Sequence, residues 1–179
     1  YEVYNQPNVD LINIVETPIV RITEDGIVTS NQEFIFDTIV YATGFDALGG
    51  SFDKIGIQGT DGALLKDKWD AKMETYLALQ VFGFPNMLMI NGPQGLGGNH
   101  PVNIQYTVEW ITDFVKHMTD QDLTRTEATP EGIETWNRHI TDKSSGSLMN
   151  GVDSWMTGVN KNVEGKGARI LGARYGGSV

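Results

Sequence analysis

Cysteine is missing altogether from the 179 residues. Its absence rules out disulfides, thiolate nucleophiles and Cys-based zinc sites, and it suits a reducing compartment, so the cytoplasm is the expected location. Positive charge is scarce: 13 Lys and Arg stand against 23 Asp and Glu, for a formal net charge of −10. A nucleic-acid binder needs a basic face for phosphates, so no nucleic-acid partner is expected. No apolar run approaches the roughly 18 residues of a membrane span, and no signal peptide is visible. Only three histidines occur, His100, His117 and His139. None has a ligand-spaced partner, so no metal site is expected. No serine sits in G-x-S-x-G, which excludes the α/β-hydrolase nucleophile elbow. The carboxylates show no pairing by spacing, so acid–base chemistry has no support and no catalytic residue is assigned.

Glycine is plentiful, with 21 residues scattered without a repeat. In a folded chain that means many tight turns or close backbone approaches. The length suits one domain, or one large piece of a bigger one. The first residue is Tyr1 rather than Met, which leads us to expect an incomplete chain. Short extended runs fill the first third. Val9 to Val15 reads as a strand. Pro18 to Thr23 and Ile27 to Thr29 read as a hairpin around Glu24-Asp25-Gly26, with Asp-Gly the strongest local cue. Glu33 to Phe36 is a further strand, and Thr38 to Ala42 follows as a more buried one. Residues 47 to 66 look loop-like, with a turn at Thr60-Asp61-Gly62. Trp69 and Tyr76 are expected to pack a short segment onto the body. Met87 to Ile90 reads as a strand buried on both faces.

Two helices follow. Ile104, Val108, Ile111, Val115 and Met118 are spaced 4, 3, 4 and 3, which makes one apolar stripe, and Pro101 fits the first turn. Thr129-Pro130 supplies an N-cap and a first-turn proline for the second, with Ile133, Trp136 and Ile140 on its apolar face. Residues 144 to 179 read as loops with a last strand near Arg169-Ile170-Leu171.

Two small-residue stretches invite a ligand. Asn91-Gly92-Pro93-Gln94-Gly95-Leu96-Gly97-Gly98-Asn99-His100 joins a strand to a helix N-terminus, whose free N–H groups favour an anion or an electron-rich ring edge. Neither G-x-G-x-x-G nor a phosphate-binding Gly-Lys-Ser/Thr is met there, and a flexible connection is the other reading. Ala42-Thr43-Gly44 ends a strand on small residues, which suits a ligand crevice in an open α/β sheet or else a plain turn. Trp155 stands in a polar, Gly-rich stretch, an odd place for a core residue.

The segments YEVYNQPNVDLINI, TPIVRITEDGIVTSNQEFIFDTIVYATGFDALGG, GFPNMLMINGP, the N-x-P-x-x-I start of the long helix, DSWMTGVN and YGG occur in this order. As an ordered set they resemble the C-terminal part of the Baeyer–Villiger monooxygenases, within the wider flavin-containing monooxygenases. The resemblance implies FAD and NADP as cofactors, and a ketone and O2 as substrates. The fold it implies is α/β, part of a flavoprotein with two Rossmann-like dinucleotide-binding domains, here a β-ribbon plus a closing strand and helices. Residues 1–36 would leave the NADPH-binding domain, 37–143 would close the FAD-binding domain, and 144–179 would form a C-terminal loop and tail. The cofactor-binding positions it implies are Ala42, Thr43, Gly44, Gly92, Pro93, Asn99, His100, Trp155 and Asn160. Asn99 and His100 would approach the flavin ring, and Trp155 and Asn160 would share a loop that contacts NADP. Gly95, Leu96, Gly97 and Gly98 would border the substrate pocket. His100 stands where the family more often has Leu or Met, and Gln105 where it usually has Glu. The nucleotide fingerprints and the active-site arginine of the family precede the matched region. The isolated chain is therefore expected to be inactive, with the N-terminal part of the same enzyme as its partner and apolar faces left uncovered. Oxidation of N or S heteroatoms and a non-catalytic interaction module are the alternatives, with a flavin-dependent disulfide reductase remote.

Overall fold

The computed structural model describes residues 1–179 except Phe45, Ala47, Leu96, Gly97, Asn162, Val163, Ala168 and residues 170–179. The expected last strand at 169–171 therefore lies largely outside the described residues. The chain divides into two compact units, Tyr1–Thr43 and Gly44–Val179. No helix among the described residues is long and apolar enough to cross a membrane.

The first unit is a three-stranded antiparallel meander: β1 (Ile19–Ile22), β2 (Gly26–Thr29) and β3 (Glu33–Ile35). Ile22 pairs with Ile27, and Ile27 with Phe34. The first turn closes where the Thr23 N–H donates to the Gly26 carbonyl. Gly26 is a glycine for a packing reason: a Cβ there would lie 1.8 Å from the Phe34 carbonyl oxygen on the next strand. The second turn is built on buried Thr29, whose hydroxyl accepts from the Asn31 and Gln32 N–H groups and donates to the Gln32 carbonyl. Every residue of β1 is exposed. Val9 to Val15 forms no strand and contains a turn instead. Thr38 to Ala42 forms none either, and Val40 and Tyr41 are exposed. A strand needs a neighbour to take its N–H and C=O groups, and no described segment lies in a ladder with this one.

The second unit holds the core. Leu65 and Trp69, on α2 (Leu65–Ala71), pack with Val81, Phe84 and Met89. Phe52, on the one-turn α1 (Gly50–Asp53), meets Trp69 edge to face at 5.3 Å. The turn expected at Thr60-Asp61-Gly62 is present, with Gly62 at φ +76° and Gln58 bridged to Leu64. Met87 to Ile90 is not a strand. It makes one ladder-like bond, Met89 N–H to the Leu79 carbonyl, and its neighbour doubles back through Leu77 and Ala78 at φ +54° and +58°. Only Met89 of the four is buried, and Ile90 is exposed.

Both expected helices form. The long helix α3 spans His100–Asp120 and α4 spans Pro130–Ser144. The Asn99 side chain caps α3 by accepting from the Val102 N–H, and Thr129 caps α4 by accepting from the Gly132 N–H. Ile133 and Ile140 of α4 are buried, whereas no residue of α3 is. The linker between the helices is stitched to the turn before Met87. Asn86 exchanges bonds with Thr124 and Thr126, and Glu127 accepts from the Gly83 N–H at 2.8 Å.

Candidate functional site

A cavity of about 820 Å³ opens in the second unit. That size suits a small-molecule cleft, for which about 300–1,000 Å³ is usual. Its walls come from the Asp46–Asp53 turn, the end of α2, α4, Gln94 and the segment after residue 152. The α4 wall is fixed by a buried polar chain. Gln94 is 2% exposed, its Oε1 accepts from the Thr75 N–H and hydroxyl, and its Nε2 donates to Asn137 of α4 at 2.5 Å. Buried polar groups need such partners, since each one left unmade costs about 1–3 kcal/mol. Nothing in the sequence marked Gln94, because a glutamine among glycines reads as ordinary loop polarity.

Trp155 lines this cavity from a one-turn 3₁₀ helix, Trp155–Thr157. That turn is rigidly made. The Met156 N–H donates to the Ser154 hydroxyl, the Thr157 hydroxyl accepts from the Ser154 N–H, and Gly158 ends it at φ +77°. Its tryptophan is left half-exposed while Thr157 and Val159 are buried. Asn160 lines the same cavity, and its N–H donates to the Lys166 carbonyl at 2.7 Å.

The other expected positions lie elsewhere. Ala42, Thr43 and Gly44 are exposed around the division between the two units. Gly44 has φ +87°, and a Cβ there would meet nothing within 4 Å, so its backbone conformation rather than crowding asks for glycine. Gly92 and Pro93 are buried. A Cβ on Gly92 would stand 2.3 Å from the Ala78 carbonyl oxygen, and one on Gly95 2.6 Å from the Ala78 Cβ. The close approach at these glycines is made by the chain's own Ala78, through its carbonyl at Gly92 and its methyl at Gly95. Leu96 and Gly97 lie outside the described residues. Gly98, Asn99 and His100 are exposed at the start of α3. No acid stands in the first turn of that helix, so beyond the Val102 N–H taken by Asn99 the positive end of its dipole can face an electron-rich group without charge competition.

The described cations around the cavity are already matched. Lys66 pairs with Asp70, Lys72 with Glu74, and Lys166 with both Asp46 and Asp53. Arg169 is held by Asp153 at 2.7 Å. Burial pushes the Lys166 ammonium down, but its bonds to Asp46 and Asp53 outweigh this and its pKa ends above the ordinary lysine value. The bond from Arg169, and then that from Lys161, holds the Asp153 carboxyl below its usual range. Trp155 and Asn160 both line this cavity. The described lysines and arginine at its wall are all committed to carboxylates, which leaves no described cation there for phosphates. No group of described His, Cys, Asp and Glu residues has the arrangement of a metal site.

No protein-family profile matches the chain. Curated relatives do. Cyclopentanone 1,2-monooxygenase of Comamonas sp. is 39% identical over 173 residues, 96% of this chain and 31% of the relative. Phenazine N-monooxygenase PhzNO1 of Lysobacter antibioticus is 34% identical, over 96% of this chain and 31% of its own length. A Baeyer-Villiger monooxygenase of Pseudooceanicola batsensis is 35% identical, over 89% and 30%. Among solved structures, cyclohexanone monooxygenase from Rhodococcus sp. Phi1 bound to NADP+ superposes with a TM-score of 0.85 at 40% identity, covering 96% of this chain and 32% of that one. OTEMO in complex with FAD and NADP gives 0.79 at 35% identity, over 96% and 31%. The chain spans about a third of the length of the proteins it matches. With the matching sequence segments following in the order set out above, this chain is a homologue of the C-terminal portion of the Baeyer–Villiger monooxygenases.

Proposed function

We propose that the chain works as one wall of an FAD- and NADPH-dependent monooxygenase that inserts one oxygen atom of O2 into a ketone, giving an ester or lactone. The observation that carries this reading is the match over 96% of the chain to an NADP+-bound cyclohexanone monooxygenase, at 40% identity. FAD and NADPH, when bound, supply the redox chemistry. The chain's own residues orient and shield. The open N-terminus of α3, entered through Asn99 and His100, offers its positive end to the flavin ring. Trp155 offers an aromatic face and Asn160 an amide to NADP, from a turn that Ser154 and Thr157 hold rigid. Gly95 to Gly98 border the ketone pocket, and Ala42, Thr43 and Gly44 let the chain cross beside the dinucleotide crevice. In the sequence, no G-x-G-x-x-G is met. The phosphate-cradling loops and the rest of the cofactor contacts therefore come from the two-thirds of the relatives' length that lies outside the match. The relationship to a phenazine N-monooxygenase supports a second reading, heteroatom oxidation by the same cofactors.

Product analysis separates the two. The longest polypeptide read from the coding sequence is incubated with NADPH and, separately, a cyclic ketone and an aromatic N-heterocycle. Lactone formed in step with NADPH consumed is the expected result. N-oxide without lactone would select the second reading, and neither product would overturn both.

A further inference from the structure

Lys166 is the ion pair that joins the Trp155 segment to the start of the second unit. Its ammonium lies 2.7 Å from Asp46 and 2.9 Å from Asp53, partners 120 and 113 residues away in sequence. Its side chain is only 18% exposed. Screening by solvent and salt is weak there compared with the exposed pairs Lys161–Asp153 and Arg169–Asp153, which brace the segment internally without reaching α1. The backbone completes the linkage, because the Lys166 carbonyl takes the Asn160 N–H. Space has been cleared for the carboxylates as well. A Cβ on Gly50 would stand 2.6 Å from the Asp46 carboxylate carbon, so Asp46 occupies a place that only glycine leaves free.

We infer that Lys166 is a positioning residue: clasped between Asp46 and Asp53, it sets where Trp155 and Asn160 stand over the cavity. The importance of that placement for NADP rests on the function proposed above. The clasp itself is read without any nucleotide, so either can fail alone. Amide hydrogen exchange on this chain tests it, comparing Lys166→Met, Lys166→Arg and Gly50→Ala with the parent. For Lys166→Met we expect exchange at Gly158, Val159 and Asn160 to rise about tenfold, as for loss of a charge-assisted bond, while the interior amides of α4 keep their rates. Arginine should restore most of the protection. Gly50→Ala, which displaces Asp46 but leaves Asp53, should give a smaller rise at the same amides. Unchanged protection in Lys166→Met overturns the inference. So does an equal loss in α4, which would make Lys166 a general fold residue. Failure of arginine to restore protection would overturn the role assigned to its charge.

Discussion

The helices α3 and α4 begin alike and end differently. Each has a side-chain N-cap, a proline in its first turn and an apolar stripe. In α4 the stripe is covered: Ile140 is 1% exposed, about one turn along from Asn137, whose bond to Gln94 ties the helix to the cavity wall. In α3 it is not: Val108 is 41% exposed, and Trp110 and Phe114 stack on one another rather than on a partner element. Hydrophobic periodicity is a local property of the sequence. It marks the face a helix offers for burial, and whether anything covers that face depends on the rest of the fold. In the reading proposed here, what covers α3 lies in the part of the relatives beyond the match.

Truncating one residue in each stripe should separate the two helices most strongly. Ile140→Ala should cost about 2–5 kcal/mol, the range for a buried isoleucine. Val108→Ala should stay within about 0.5 kcal/mol, as for an exposed site. Urea unfolding midpoints measure both, and equal losses would end the distinction. The next effect is at the tie beneath α4. Gln94→Leu leaves the buried Thr75 N–H without an acceptor, while the Thr75 hydroxyl keeps the Pro93 carbonyl, and should cost about 1–3 kcal/mol. Thr129→Ala, read by the same unfolding curves, should cost roughly 1 kcal/mol through loss of the α4 cap. A smaller effect is expected with pH. A folded-state pKa above the unfolded one adds stability that is complete below the unfolded value and is lost as pH rises through the folded one. The clasp of Lys166 by Asp46 and Asp53 should therefore hold from neutrality to about pH 10 and loosen above it. Trp155 emission recorded against pH, with Lys166→Met as the flat control, checks this.

Both helices were legible in the sequence, because a 4, 3, 4, 3 spacing and a Thr-Pro or Asn-x-Pro start state a local preference that packing did not override. The hairpin was legible too, although Gly26 proved to answer the Phe34 carbonyl as well as the turn. The strands expected at 9–15, 38–42 and 87–90 do not form, since apolar content cannot say whether a neighbouring strand exists. The glycines at 92 and 95 looked like places for a ligand, and the chain's own Ala78 fills the space beside them. The Lys166 clasp had no local signal at all, because its partners stand more than a hundred residues away. Trp155 was picked out by its incongruous surroundings, and the structure sets it on the cavity wall.

In the function proposed above, this chain carries one face of a flavin site and residues beyond it supply the rest. Titrating FAD with the purified chain and following flavin fluorescence tests that claim directly. We predict no stoichiometric quenching, since Asn99 to Val102 at the start of α3 are exposed rather than enclosed. Tight quenching that saturates at one flavin per chain would contradict the account.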